Sequence, residues 1–214
     1  MNKKKILVVA CDLNPNLGSE ATKAHYWLLA ILKYFDADVF VHNAHREAIL
    51  EYDYPGNVNF IFGHQKSRKE RKFFQKRKYN RIARLFFKAI EPQFIQKIKS
   101  GEYEFVHFLT PAGLHNYPPL YKKCNIPYAV GPIGGGLRTP KGFEDLFSFR
   151  QRLENRLRKY YFRFLKRSRR FLDYLGKSKR VIIETDYHLD YLPEEITQKA
   201  IVNFNTLMDL KGFA

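Results

Sequence analysis

Three short stretches of this chain hold residues whose type and spacing suit chemistry on a ligand. In "NPNLGSEA", residues 14–21, Gly18, Ser19 and Glu20 stand where a helix begins. Free amides at a helix start can face a phosphate or a sugar hydroxyl, and Ser19 also reads plainly as a helix cap. The spacing is neither GxGxxG nor a P-loop, so it does not specify a dinucleotide or ATP. In "HFLTPAG", residues 107–113, His107 and Thr110 come at the end of an apolar run. An imidazole there can bond a ligand hydroxyl or carry a proton near neutral pH, but no neighbouring carboxylate orients it, and a lone strand histidine also serves structure alone. In "GPIGGG", Gly131, Gly134, Gly135 and Gly136 leave a bare backbone. Three consecutive glycines exceed what a tight turn needs and let an anion or sugar ring approach the main chain; the alternative is a flexible surface loop. Glu184, Thr185 and Asp186 form a smaller polar cluster that reads as a cap for "YHLDYLP".

These residues need elements to position them. Apolar or β-branched runs, "KILVVAC", "ADVFVHN", "NVNFIFG", "EYEFVHFLT" (102–110), "IPYAVGP", "KRVIIET" and a shorter "KAIVNFN", recur between stretches with helical spacing. In "LGSEATKAHYWLLAILKYF", Trp27, Leu28, Ile31, Leu32 and Phe35 fall on one side of a helix. Strands alternating with helices predict a Rossmann-like, doubly wound α/β domain: a mostly parallel sheet with helices on both faces. Ligands of such sheets bind beyond the carboxyl ends of the strands, so all three stretches are expected on one rim.

Charge is unevenly placed. The chain carries a formal +17; residues 66–88 hold 11 Lys or Arg against one Glu, residues 150–180 hold 13 against Glu154 and Asp173, and the remainder is left at −4. The basic character thus belongs to two segments, both rich in aromatics: Phe73, Phe74, Tyr79, Phe86 and Phe87 in the first, Tyr160, Tyr161, Phe162, Phe164, Phe171 and Tyr174 in the second. At helical spacing most of these are expected to pack on the sheet. The cations suit an anionic membrane surface, with Lys72, Lys76, Arg77, Arg81, Arg163, Arg167 and Arg170 as candidate contacts. Nucleic-acid phosphate is the competing partner, disfavoured because no helix-turn-helix, zinc or RNP-type pattern is present. Cys11 and Cys124 make neither a metal pattern nor a disulfide framework and read as two buried thiols in a reducing compartment. The basic, apolar start "MNKKKILVVACDLNP" lacks a small-residue cleavage site and reads as a first buried strand.

The three rim stretches, in order and separation, resemble the N-terminal half of retaining, family 4 type glycosyltransferases with the GT-B fold, over about residues 5–205. The resemblance implies an acceptor-binding half that faces a separate half holding most of the nucleotide-sugar donor. Residue by residue it places Gly18 and Ser19 beside donor phosphates or acceptor, His107 and Thr110 in the cleft, and Gly134, Gly135 and Gly136 near the reacting sugar. The family's paired-glutamate motif, which grips the donor, has no counterpart in these 214 residues. Residues 1–205 are therefore expected to form the acceptor-side domain and 206–214 the start of a linker or tail, with the donor side on another domain or subunit. The resemblance further implies no bound cofactor or metal, and front-face transfer assisted by the donor phosphate. An acceptor that is a polysaccharide or lipid-linked glycan at the cytoplasmic face of the inner membrane fits the charge pattern. A non-catalytic membrane- or nucleic-acid-binding protein on the same scaffold is the alternative.

Overall fold

Strand β1, Lys4–Ala10, is the centre of the molecule because every residue from Ile6 to Ala10 is buried. Leu7 and Val9 belong to the core on one face of the sheet, Ile6, Val8 and Ala10 to the core on the other. A near-continuous apolar run of this kind marks a parallel strand covered on both sides. The computed structural model describes residues 3–63, 79–113, 117–134, 142–143, 146–165 and 167–203.

The other strands are β2 (Phe35–His42), β3 (Val58–Gly63), β4 (Val106–Thr110), β5 (Tyr128–Ile133), β6 (Arg180–Ile183) and β7 (Ala200–Val202). All pair in parallel, in the order β3-β2-β1-β4-β5-β6-β7. The fold is thus the expected doubly wound α/β sheet, and its order reverses between β1 and β4. Each of the seven apolar runs became a strand, but two boundaries differ. β4 starts at Val106 rather than at residue 102, and Phe35 opens β2 instead of closing the preceding helix.

Helix α1, Ser19–Leu32, buries Ala24, Leu28 and Leu32 at helical spacing on one face of the sheet, with Trp27 and Ile31 partly buried beside them. Short α2, Arg46–Leu50, adds Ile49 to the same side. The opposite face carries α3 (Tyr79–Lys99), a 3-10 turn at Pro119–Lys123, α5 (Arg169–Lys177) and α6 (Glu194–Thr197). From the basic segments, Phe86, Phe87, Phe171 and Tyr174 enter that core, as their spacing predicts; full burial of such a ring is worth about 1.5–3 kcal/mol. Helix α4, Phe149–Leu165, behaves differently: among its described side chains only Leu165 is buried.

At the amino edge of the sheet a buried carboxylate ties α3 down. Asp38 of β2 accepts hydrogen bonds from Lys97 Nζ at 2.6 Å, from the Tyr103 hydroxyl at 2.6 Å and from Asn59 Nδ2 at 3.3 Å. Burial alone would raise its pKa, but the Lys97 and Tyr103 hydrogen bonds hold it below the usual carboxylate value.

Candidate functional site

A cleft of about 240 Å³ opens at the carboxyl ends of β4, β5 and β6, beside the reversal in strand order. Its walls are Glu20, Lys23 and Ala24 of α1, Leu109 and Thr110 at the end of β4 with Ala112 and Gly113 after it, Pro132 of β5 with Gly134 after it, and Glu184 after β6. That is where an open α/β sheet is expected to hold a ligand. Its volume lies below the ~300–1,000 Å³ of ordinary small-molecule pockets.

Two carboxylates and one ammonium set its electrostatics. Glu20 Oε1 accepts a hydrogen bond from the Ala112 amide at 2.6 Å, and Lys23 Nζ bridges to Glu184 Oε1 at 2.8 Å. Each carboxylate so spends one oxygen on the protein. Among the described residues neither Oε2 has a hydrogen-bond partner, which leaves two acceptors for ligand hydroxyls. Burial raises the Glu20 pKa; the Ala112 amide opposes this, and the charges of Asp12 and Glu184 add to it. Among the described residues Lys23 is the one cation in the lining against Glu20 and Glu184, so this part of the cleft is net negative. It disfavours a diphosphate and suits a neutral polyhydroxylated ligand.

The backbone beneath the carboxylates is irregular for a physical reason. The pairing of β5 with β6 slips between Val130 and Ile133, and Gly131 there adopts φ +115°. The slip turns a buried carbonyl out of the ladder, and such a group needs a donor. His107 supplies it: its Nε2 lies 2.7 Å from the Gly131 oxygen, and since a carbonyl only accepts, Nε2 carries the proton. His107 is buried with its ring edge-on to Trp27, and burial lowers its pKa to about 4. It sits in the body of β4, three residues short of the rim, and does not line the cleft. The imidazole therefore positions the Gly131 backbone rather than meeting a ligand.

Thr110 lies at the rim and lines the cleft, as its place in the sequence predicts. Its hydroxyl donates to the Asp12 carbonyl and accepts from the Asp12 amide, both at 3.0 Å, clamping the ends of β1 and β4 across the reversal. Gly134 is also there: its amide donates to the Ala112 carbonyl at 2.9 Å, and Gly113 and Gly134 extend the β4–β5 pairing past the strands. A Cβ on Gly134 would run into the Glu184 carboxylate. The glycine thus makes room for a side chain of this protein. Gly135 and Gly136 lie outside the described residues.

At the start of α1 the cap position falls on Gly18, φ +52°, with no side-chain cap bond, and Ser19 is the first helical residue. The expected Ser19 cap gives way to a glycine whose left-handed φ a serine would adopt only with strain. Glu20 in the first turn already places a carboxylate at the positive end of the helix, which leaves less attraction for a ligand phosphate. The cap expected from Glu184 to Asp186 is also different: Thr185 occupies the cap position of the following 3-10 turn without a side-chain cap bond, and Glu184 reaches into the cleft instead.

Sequence reasoning missed Lys23, Asp12 and His45. His45 Nε2 lies 3.3 Å from Asp12 Oδ1, with Asn14 Nδ2 3.4 Å from the other ring nitrogen. The signal for Lys23 was the rim rule itself, since the opening turns of α1 must face the ends of the strands that follow β1. Of the basic candidates, Arg81, Arg167 and Arg170 are exposed, on the α3 and α5 side of the sheet. Arg163 is in α4, its side chain outside the described residues, as are Lys72, Lys76 and Arg77 altogether. Cys11 is buried and Cys124 half-buried, both free. Among the described residues no helix is long and apolar enough to cross a membrane, and no group of three or more His, Cys, Asp or Glu is placed to hold a metal ion.

No family model matches the chain, and no curated protein sequence matches it. Solved structures do align with it. UGT2 of Phytolacca americana, complexed with UDP-2fluoro-glucose and pterostilbene, aligns at 10% identity over 88% of this chain and 49% of its own, with a TM-score of 0.49. A UGT transferase from Siraitia grosvenorii in complex with UDP aligns at 10% identity over 92% and 47%, TM-score 0.46. A glycosyltransferase from Rickettsia africae aligns at 18% identity over 94% and 43%, TM-score 0.42. The chain thus spans about half the length of these structures.

Proposed function

We propose that this chain is the acceptor-binding half of a glycosyltransferase that moves a sugar from a nucleotide-sugar donor to a glycan or lipid-linked acceptor at an anionic membrane surface. The donor-binding half belongs to a second domain or a separate subunit. The observation that carries this reading is the rim cleft, where Glu20 and Glu184 each keep one carboxylate oxygen open beside the main chain of Ala112 to Gly134. Paired carboxylates and backbone amides are the groups that recognise sugar hydroxyls, and an open cleft suits a site completed by an opposing domain.

Each residue has a role in this reading. Glu20 and Glu184 accept hydroxyls of the acceptor; Lys23 fixes Glu184; Thr110 holds the β1 and β4 ends in register; His107 fixes Gly131. Gly18 and Ser19 shape the entry to α1, and Gly134 lines the approach. Because this part of the cleft is net negative, the donor diphosphate is gripped from the opposing half. Holding donor and acceptor in near-attack geometry is worth roughly 7–11 kcal/mol of barrier, and one half cannot supply it.

The test is ligand-observed NMR on the purified chain with neutral oligosaccharides and with UDP-sugars. Saturation transfer to oligosaccharide that falls at least fivefold in Glu184→Gln, with at most weak nucleotide-sugar signals and no transfer activity, is expected. Tight UDP-sugar binding indifferent to Glu184→Gln, or robust transfer by this chain alone, overturns the reading.

A further inference from the structure

Helix α4 exposes an apolar face that the fold does not cover. Phe149, Leu153, Leu157, Tyr160, Tyr161 and Phe164 are each between 41% and 83% exposed. At about 100° per residue their spacing confines them to an arc of about 120°. Among its described side chains the helix is anchored through Leu165, which falls about 40° beyond the Tyr161 edge of that arc. Phe143 and Leu146, just before the helix, are exposed as well. A contiguous apolar surface of this kind on a polar protein marks a contact with another body.

The charges beside it identify that body. Arg152 and Arg156 border one edge of the stripe and are exposed, while Arg150, within the arc, pairs with Glu154 at 3.2 Å. Past the end of the helix Arg167, Arg169 and Arg170 are exposed, on the same side of the sheet. Also on that side, a groove of about 380 Å³ between α3 and the Pro119–Lys123 turn is lined by Arg81, Arg84 and Lys88 against the lone Glu91. Protein–protein interfaces also enrich aromatic residues and arginine, so residue type alone fits either partner; the excess of exposed cations over Glu91 on this side favours an anionic surface. Phe and Leu beside Tyr, bordered by arginine, is the pattern of a helix lying in the headgroup layer of an anionic bilayer. Each Lys or Arg near such a surface adds about 1 kcal/mol.

We propose that α4 lies flat on an anionic membrane, with the Phe149–Phe164 stripe seated at the boundary of headgroups and acyl chains and the neighbouring arginines on lipid phosphates. The inference rests on the reading of a membrane-associated acceptor and gives that reading its docking element, while its test needs no sugar.

Flotation of the full chain with phosphatidylglycerol-containing vesicles, and with pure phosphatidylcholine vesicles, tests it. Binding to anionic vesicles is expected to exceed binding to neutral ones at least tenfold. The triple variant Phe149→Ser, Leu153→Ser, Phe164→Ser is expected to lose at least tenfold while keeping its circular dichroism spectrum. Trp27 is the single tryptophan, so Phe164→Trp in a Trp27→Phe background gives a local reporter, expected to shift to the blue and be quenched by brominated acyl chains. Undiminished flotation of the triple variant, or a reporter that brominated lipid does not quench, overturns the insertion. So does a reporter buried without lipid in a species of doubled mass, which assigns the stripe to a second copy, or one that shifts only on adding RNA. Failure of oligosaccharide binding leaves vesicle insertion standing, so the two readings fail separately.

Discussion

His107 is neutral because its surroundings exclude water and because its one described hydrogen bond, to the Gly131 carbonyl, asks only for the Nε2 proton. In the folded chain its pKa is about 4, against an ordinary 6.5 when unfolded. Between those values the unfolded chain binds more protons, so stability rises with pH there and is complete above 6.5. Urea unfolding from pH 4 to 7 is expected to show this gain, of order 3 kcal/mol from His107, and the imidazole carbon signals are expected not to titrate between pH 5 and 8. A midpoint near 6.5 in the native spectrum would contradict the assignment. The two glycines nearest it respond differently. In Gly131→Ala the Cβ meets the Ile182 backbone and φ is +115°, so a loss of about 3 kcal/mol or more is expected. In Gly134→Ala the obstacle is the far end of the Glu184 side chain, which can swing aside at the expense of its Lys23 bridge, so less than ~1 kcal/mol is expected in urea titration while oligosaccharide binding falls. The sequence showed both as glycines of one motif; only the atoms a Cβ would meet tell them apart.

Among the elements, α3 depends on its last turn. Lys97 and Tyr103 converge on Asp38, a charge inside an apolar strand, and that misplaced charge was the only sequence sign of the network. Asp38→Ala strands both partners, though Lys97 regains some water; about 2–3 kcal/mol of lost stability is expected by chemical denaturation. Since the Asp38 pKa is held below 3.8, its contribution is present above that pH and lost as the pH falls below it. The elements themselves were legible because each strand is an apolar run and the larger helices a repeating stripe. What periodicity cannot say is what covers a stripe: α3 and α4 read alike, yet one is buried on the sheet and the other faces outward. The cleft was half legible for a similar reason. Thr110, Glu20 and the position of Lys23 follow from the rim rule, whereas the pairing of Lys23 with Glu184 joins residues 161 apart, a distance no local pattern spans.

For the molecule as a whole, the formal charge is +17, and among the described residues exposed cations such as Arg81, Arg84, Lys88, Arg152, Arg156, Arg167, Arg169 and Arg170 lie on the α3, α4 and α5 side while the rim cleft is acidic. Like charges crowded on one side oppose compaction, and salt screens them within about 10 Å at 0.1 M. The thermal midpoint of the chain is accordingly expected to rise between 20 and 300 mM sodium chloride, measured by scanning calorimetry; a fall would mean that attractive surface pairs outweigh the repulsion. The reversal of strand order has a consequence of another kind. β1 finds β2 close behind it, but its second neighbour, β4, begins only at Val106. At the ~5–20 residues per second of translation, roughly 5 to 20 s pass in which one side of the most apolar strand in the sheet has left the ribosome with no partner yet made. During that interval the Ile6–Ala10 edge is a template for any extended chain, so the strand buried deepest in the finished protein is the one open to mispairing while it is being made.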